Sequence, residues 1–195
     1  MLAGYGAYTL KSKTQKRRIA LLGTHLAQFQ VEKLMENLTQ GYLRALGEKD
    51  AERQTQIWNL LASSEQDLCD QFDRFVAGFA KDVGDEDARV STFPVFIPEA
   101  HRFFPDKTFD MRRLLAVHAQ GIRGVAGQDA GSSPKSRAFM LSAELFLMQH
   151  SCHWYCRSRT VASGRMLARH HTSYAQLLAS VSPETRRAYG AVVGT

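Results

Sequence analysis

An all-α fold is predicted for this chain, with a long N-terminal antiparallel helical hairpin packed with a C-terminal helical bundle around a hydrophobic central helix. Three observations predict it. Apolar residues recur every three or four positions through residues 14–45 and again through 51–83. The run from Ala138 to Cys156 is apolar nearly all round, as in a helix covered on most sides. Residues that start or stop helices stand at the junctions: Gly47, Asp50, Asp110, Ser133 with Pro134, and Ser182 with Pro183. The chain accordingly divides into a mobile arm (1–12), the hairpin (13–83), a Pro/Phe-rich extended connector (84–107) and a C-terminal helical unit (108–195).

In chain order, residues 1–12 mix Gly4 and Gly6 with small and aromatic residues and have no period, hence the arm. From about Thr14 the spacing of Ile19, Leu22, Leu26 and Phe29, then Leu34, Leu38, Tyr42 and Ala45, predicts a helix whose stripe shifts between Phe29 and Leu34. Gly47 is expected to stop it in the left-handed conformation, and Asp50 to cap the next helix. In that second helix Ile57, Leu61, Leu68, Phe72, Phe75 and Phe79, with Ser64 filling one slot, approach a heptad seam. At about 1.5 Å per residue, two helices of roughly 30 residues reach about 45 Å, long enough to leave part of each stripe for a partner. The connector carries Pro94, Pro98 and Pro105, which exclude a regular helix, and Phe93, Phe96, Phe103 and Phe104, which are expected to anchor it across the bundle. A third helix is predicted from Thr108 or Asp110 to Gly124, then a loop of small residues from Gly127 to Ser133, then the central helix, which continues or breaks near Ser163 and Gly164. Two short helices follow, at about Tyr174 to Ser180 and Pro183 to Val192.

Charge is unevenly distributed. Residues 1–18 hold five Lys/Arg and no acid, 19–105 hold eight against fourteen acids, and 106–195 hold twelve against five, so the formal +6 comes from the two ends. Three cysteines in a chain of this length do not make a disulfide framework and point to a reducing, cytoplasmic setting. No secretory signal is read, because the bases follow Tyr5 and Tyr8 rather than opening the chain. No membrane span is expected either, since Glu144, His150 and His153 interrupt the apolar helix.

The one dense cluster of metal-type ligands is Cys152, His153 and Cys156, with His170 and His171 nearby. On a helix the two cysteines lie about 40° apart on the apolar stripe of Leu141, Leu145 and Met148, whereas His150 and His153 fall on another face. That arrangement favours structural thiols, and a metal site completed by His170 is the third reading. A helix-interior cysteine lacks the exposure and lowered pKa of a nucleophile, Glu144 stands alone and is expected to pair with an arginine, and no Gly-rich phosphate loop is present. No catalytic residue and no cofactor are therefore assigned. The basic tracts Lys11, Lys13, Lys16, Arg17 and Arg18, and Arg157, Arg159, Arg165 and Arg169, beside Trp154 and Tyr155, suit phosphate contacts and base stacking. The competing expectation is that the second tract pairs with Glu65, Asp67, Asp70 and Asp73 of the hairpin. Ser182 to Tyr189 resembles the helix opening of the core-binding domain of tyrosine recombinases over eight residues of largely generic capping chemistry, and implies no function.

These readings give a non-enzymatic interaction, scaffold or regulatory protein whose partner is a second copy or another helical protein, meeting it at Ile57, Leu61, Leu68 and Phe72. The alternatives are a nucleic-acid-binding regulator using residues 11–18 and 157–171, and a metal-binding helical protein. A membrane or granule surface ranks below these as a partner.

Overall fold

The structure, a computed structural model, describes residues 2–95, 97, 99–127 and 133–194. It is all-α: helices α1 (Leu2–Leu26), α2 (Val31–Gly47), α3 (Ala51–Asp82), α4 (Asp85–Ala88), α5 (Ala100–Phe103), α6 (Met111–Ala126), α7 (Pro134–Cys156), α8 (Arg159–His170), α9 (Tyr174–Ser180) and α10 (Pro183–Val193), with two three-residue strands. None of the described helices is long and apolar enough to cross a membrane.

The helical backbone begins at Leu2, upstream of the start near Thr14 that the periodicity predicts and within the stretch read as an arm. The shift of stripe between Phe29 and Leu34 proves to be a break: one continuous helix cannot keep both halves of the stripe on one face. At the break Gln30 N–H donates to the Gln71 side chain at 2.7 Å, and Phe29 meets Phe75 edge-on at 6.5 Å. The antiparallel hairpin is therefore α2 with α3. Its seam holds Leu38, Tyr42, Leu68, Phe72 and Phe75, all buried. The polar slot in that seam belongs to the buried Glu65, which accepts from Tyr42 Oη at 2.7 Å, and not to Ser64. Helix α1 instead crosses onto α7, where Leu22 is buried and Gln15 exchanges hydrogen bonds with Arg157 (2.9 and 3.4 Å).

Gly47 does not take the left-handed stop expected of it. Glu48 follows in extended conformation (φ −73°, ψ 130°), and its carboxylate accepts from the N–H groups of Lys49 and Asp50, so a side chain holds the turn. Asp50 then caps α3 by accepting from Arg53 N–H, as expected.

The connector is pinned differently from the expectation. β1 (Arg89–Ser91) pairs antiparallel with β2 (Thr108–Asp110), Val90 opposite Phe109, and both of these side chains are buried. Phe109 lies edge-on to Trp154 at 5.0 Å, and Trp154 donates to Ser91 O at 3.1 Å. The connector's own aromatics are peripheral: Phe103 and Phe104 are exposed, with Phe93 edge-on to Phe104 at 5.4 Å, and Phe96 lies outside the described residues. Strand propensity in three-residue pieces has no readable period, which is why a pairing of segments so far apart in sequence escaped pattern reading.

Asp110 caps α6 and Ser133 caps α7. The loop predicted from Gly127 falls mostly on residues 128–132, outside the described set. α7 stops at Arg157, and Ser158 caps a new helix, so the break comes before Ser163 and Gly164, which lie inside α8. Ser173 forms a capping box with Gln176, and Ser182 caps α10 with Pro183 first in the helix.

Candidate functional site

Three regions gather the residues singled out by sequence, and in each the tertiary structure changes their meaning.

The hairpin stripe comes first. Leu61, Leu68 and Phe72 are buried and Ile57 is half-buried, packed with the rest of the core. α3 packs against α2 and α6, and of the four only Ile57 keeps partial exposure. The apolar surface left open lies elsewhere. α2 turns Leu43 (72% exposed) and Leu46 outward, and α7 turns out Phe139 (68% exposed). Between them runs a groove of about 770 Å³ bounded by α2, α7 and α9. Its α2 wall is Thr39, Tyr42, Leu43 and Leu46, at the i, i+3, i+4, i+7 spacing of one helix face. Phe146 and Leu177 lie along its floor, and Lys135 is the sole charged side chain among its described lining. On the α9 side Arg186 donates to Ala179 O at 2.6 Å. The signal that could have found this groove is the excess of apolar residues on α7, more than one buried face needs.

The basic tracts come second. They are 142 positions apart at Gln15 and Arg157, yet that contact brings α1 beside the start of α8. The second tract does not fit the acidic hairpin. Asp70 and Asp73 are taken by Arg123, and Glu65 by Arg137 at 3.7 Å. No ion pair joins Arg157, Arg159, Arg165 or Arg169 to a carboxylate among the described residues: Arg159 lies 5.7 Å over the Trp154 ring and Arg165 contacts His153 Nδ1 at 3.3 Å. The first tract is divided. Arg17 pairs with Asp87 at 2.5 Å, and Arg18 turns inward to the carbonyls of Tyr155 and Arg89 and over the Tyr155 ring, burial lowering its pKa. Lys11, Lys13 and Lys16 remain exposed.

The thiols come third. Cys152 and Cys156 line a cleft of about 390 Å³ between α1, α2, α7 and α8, with Met35, Met148 and His153. The four predicted metal ligands do not converge. His170 is stacked on Phe146 at 4.0 Å with Nε2 against Gln149, while His153 is held by Arg165. Among the described residues the one set of three or more His, Cys, Asp or Glu donors close enough for an ion is Glu86, Glu99 and His101, and Arg102 already pairs with both of its carboxylates. Burial raises both cleft thiols, Cys156 to about 11 despite Arg18, Arg157 and Arg165, which removes the thiolate a nucleophile requires.

Behind these surfaces lies a polar interior. Glu144 is fully buried and, instead of an arginine, accepts from Ser182 N–H at 3.0 Å, where the positive end of α10 faces it. Burial raises its pKa. His118, also fully buried, contacts Ser151 Oγ at 2.9 Å, while Ser151 donates its proton to Leu147 O. The His118 Nε2 must then carry the proton. A serine whose proton is turned to a carbonyl, beside a histidine with no exposed atom, offers no nucleophile. His150 contacts Ser163 Oγ at 3.1 Å and stacks on Tyr174, which donates to Tyr189 Oη. Comparison with protein-family models, with characterised proteins and with solved structures returns no match.

Proposed function

We propose that the chain is a non-enzymatic interaction protein that receives an amphipathic helix of a partner protein in the groove between α2, α7 and α9. The observation that carries this reading is the groove itself. From Lys135 to Phe146 its α7 wall spans about 16 Å, the length of about three helical turns. A helix lying there would place i, i+3, i+4 and i+7 side chains against Leu43, Phe139 and Phe146. Charge selects the partner: with Lys135 in the lining and Arg186 beside it, flanking acids on the incoming helix are favoured. A second copy would bring these same cations together and is disfavoured for that reason.

Fluorescence anisotropy with a labelled Leu-rich, Glu-flanked model helix tests the reading. The peptide should bind, and Leu43→Glu with Phe139→Glu should weaken binding at least about tenfold, the loss of two apolar anchors gained by burial. Equal binding of a sequence-scrambled peptide, or of the wild-type peptide to the double variant, overturns it. So does sedimentation showing a dimer that Leu43→Glu dissolves, which would make the occupant a second copy.

A second reading, nucleic-acid binding through α1 and α8, is favoured by Arg157, Arg159, Arg165 and Arg169 having no carboxylate partner among the described residues. In a gel shift with generic DNA and RNA, six or more phosphate contacts should weaken binding by orders of magnitude between about 50 and 200 mM salt. Arg165→Glu with Arg169→Glu should abolish a genuine complex. Salt-independent or unaltered binding would dismiss this reading.

A further inference from the structure

The cleft between α1, α2, α7 and α8 has a composition unlike the rest of the surface. Met148, Cys152 and Cys156 follow one another at four-residue steps along α7 and all line it, and Met35 lines it from α2. Cys152 Sγ lies 3.8 Å from Met148 Sδ. Residues four apart on a helix have Cβ atoms about 5–6 Å apart, so the thiols of Cys152 and Cys156 can turn toward a common point between them. All three cysteines are free, so neither thiol is engaged in a disulfide.

We propose that this cleft binds a soft monovalent metal ion, Cu(I), through the sulfurs of Cys152 and Cys156 with the Met148 thioether as third donor. The donor chemistry selects the ion. Thiolates and thioethers favour Cu(I), whereas zinc demands four converging donors of sulfur, nitrogen or oxygen. Among the described residues no third His, Cys, Asp or Glu atom stands close enough to the two thiols to complete such a set. Charge also fits. Binding is Cu⁺ plus two thiols giving a dithiolate complex of net charge −1 and two protons released to solvent, with no change of oxidation state. Arg157 and Arg165 line the same cleft and Arg18 acts electrostatically on Cys156 from α1, against the single carboxylate of Glu32 on α2, so the anionic complex would lie among three guanidinium groups and one carboxylate. That placement also accounts for Arg157 and Arg165 having no carboxylate partner among the described residues. Both thiols must lose their protons to bind the ion, which couples metal affinity to proton release.

An anaerobic titration with Cu(I), buffered by the chromophoric chelator bathocuproine disulfonate, tests the proposal on the full chain. One equivalent should be withdrawn from the chelator, with two protons released per copper. Cys152→Ala with Cys156→Ala should abolish the withdrawal, Met148→Leu should weaken it on the order of tenfold, and Zn(II) should not be retained. Circular dichroism on each variant separates loss of the site from loss of the fold. A wild-type protein that takes no copper from the chelator overturns the proposal without any variant. So does unchanged uptake by the folded double variant, which would assign the copper to Cys69.

Discussion

α7 has two sides that the same apolar composition serves in opposite ways. The side facing α6 and the start of α10 is sealed: Glu144 and Ser151 are buried there against Ser182 and His118. The side facing α1, α2 and α9 is left ajar, with Phe139 largely exposed over one groove and the two thiols over another cleft. The difference shows that an all-round apolar helix need not be an all-round buried one. Its closed side carries polar groups that each hold one specific neighbour, Glu144 on Ser182 N–H and His118 on Ser151 Oγ, while Glu144 Oε2 and His118 Nδ1 are left without a hydrogen-bond partner among the described residues, where an unmatched atom costs most. Its open side carries apolar and sulfur groups, whose exposure costs less and which can therefore wait for a ligand.

The contrast can be broken by substitution. Leu145→Ala, at a position of α7 with no exposure, should cost roughly 2–5 kcal/mol in a urea denaturation; an unchanged midpoint would show that α7 is not the centre of the fold. Gly121→Ala comes next. A methyl there would stand 2.2 Å from Thr185 Oγ1 and 2.7 Å from Glu144 Oε2, so despite the gain in helix propensity about 1–3 kcal/mol should be lost. Combining it with Thr185→Ala should recover part of that loss, and strict additivity of the two changes would mean that α6 and α10 do not meet as described.

Acid sharpens the same comparison. Burial lowers His118 to about 3 and His150 to about 4, from an unfolded value near 6.5. Both are neutral in the folded protein and protonated in the unfolded chain between those values. Their contribution is thus complete above pH 6.5 and lost as pH falls toward 4, by up to about 1.4 kcal/mol per histidine per unit. Glu144, raised by burial, works in the opposite sense above its ordinary value and offsets part of the loss. Urea midpoints at pH 7 and 5.5 should differ clearly, and His118→Gln should flatten the slope; equal midpoints would mean the histidines are not sealed. The smallest effect belongs to the open side. Leu43→Ser and Phe139→Ser should each stay within about 0.5 kcal/mol of wild type. A loss as large as that of Leu145→Ala would show the groove to be covered.

Much of the helical layout was legible because capping is local. Asp50, Asp110, Ser133, Ser173 and Ser182 each satisfy a first-turn N–H within their own helix, and four of these five were readable as starts from a few residues of sequence. The groove and the thiol cleft were legible only in part. Cys152, Cys156 and Arg165 were singled out, but their companion Met35 sits on another helix, and Leu43 and Phe139 carry no mark that separates them from Leu38 and Leu141. An apolar residue looks the same in sequence whether a neighbour covers it or not.

The sequence by itself therefore determined the helical class, the apolar central helix and the starts of α3, α6, α7, α9 and α10, since these depend on spacing and side-chain chemistry within a few turns. Tertiary structure alone decided that α1 leaves the hairpin for α7, that the connector zips through Val90 and Phe109, and that Leu61, Leu68 and Phe72 are covered while Leu43 and Phe139 are not. Those outcomes depend on contacts such as Gln15 with Arg157, whose partners are set by how whole helices fill space and not by the residues adjoining them.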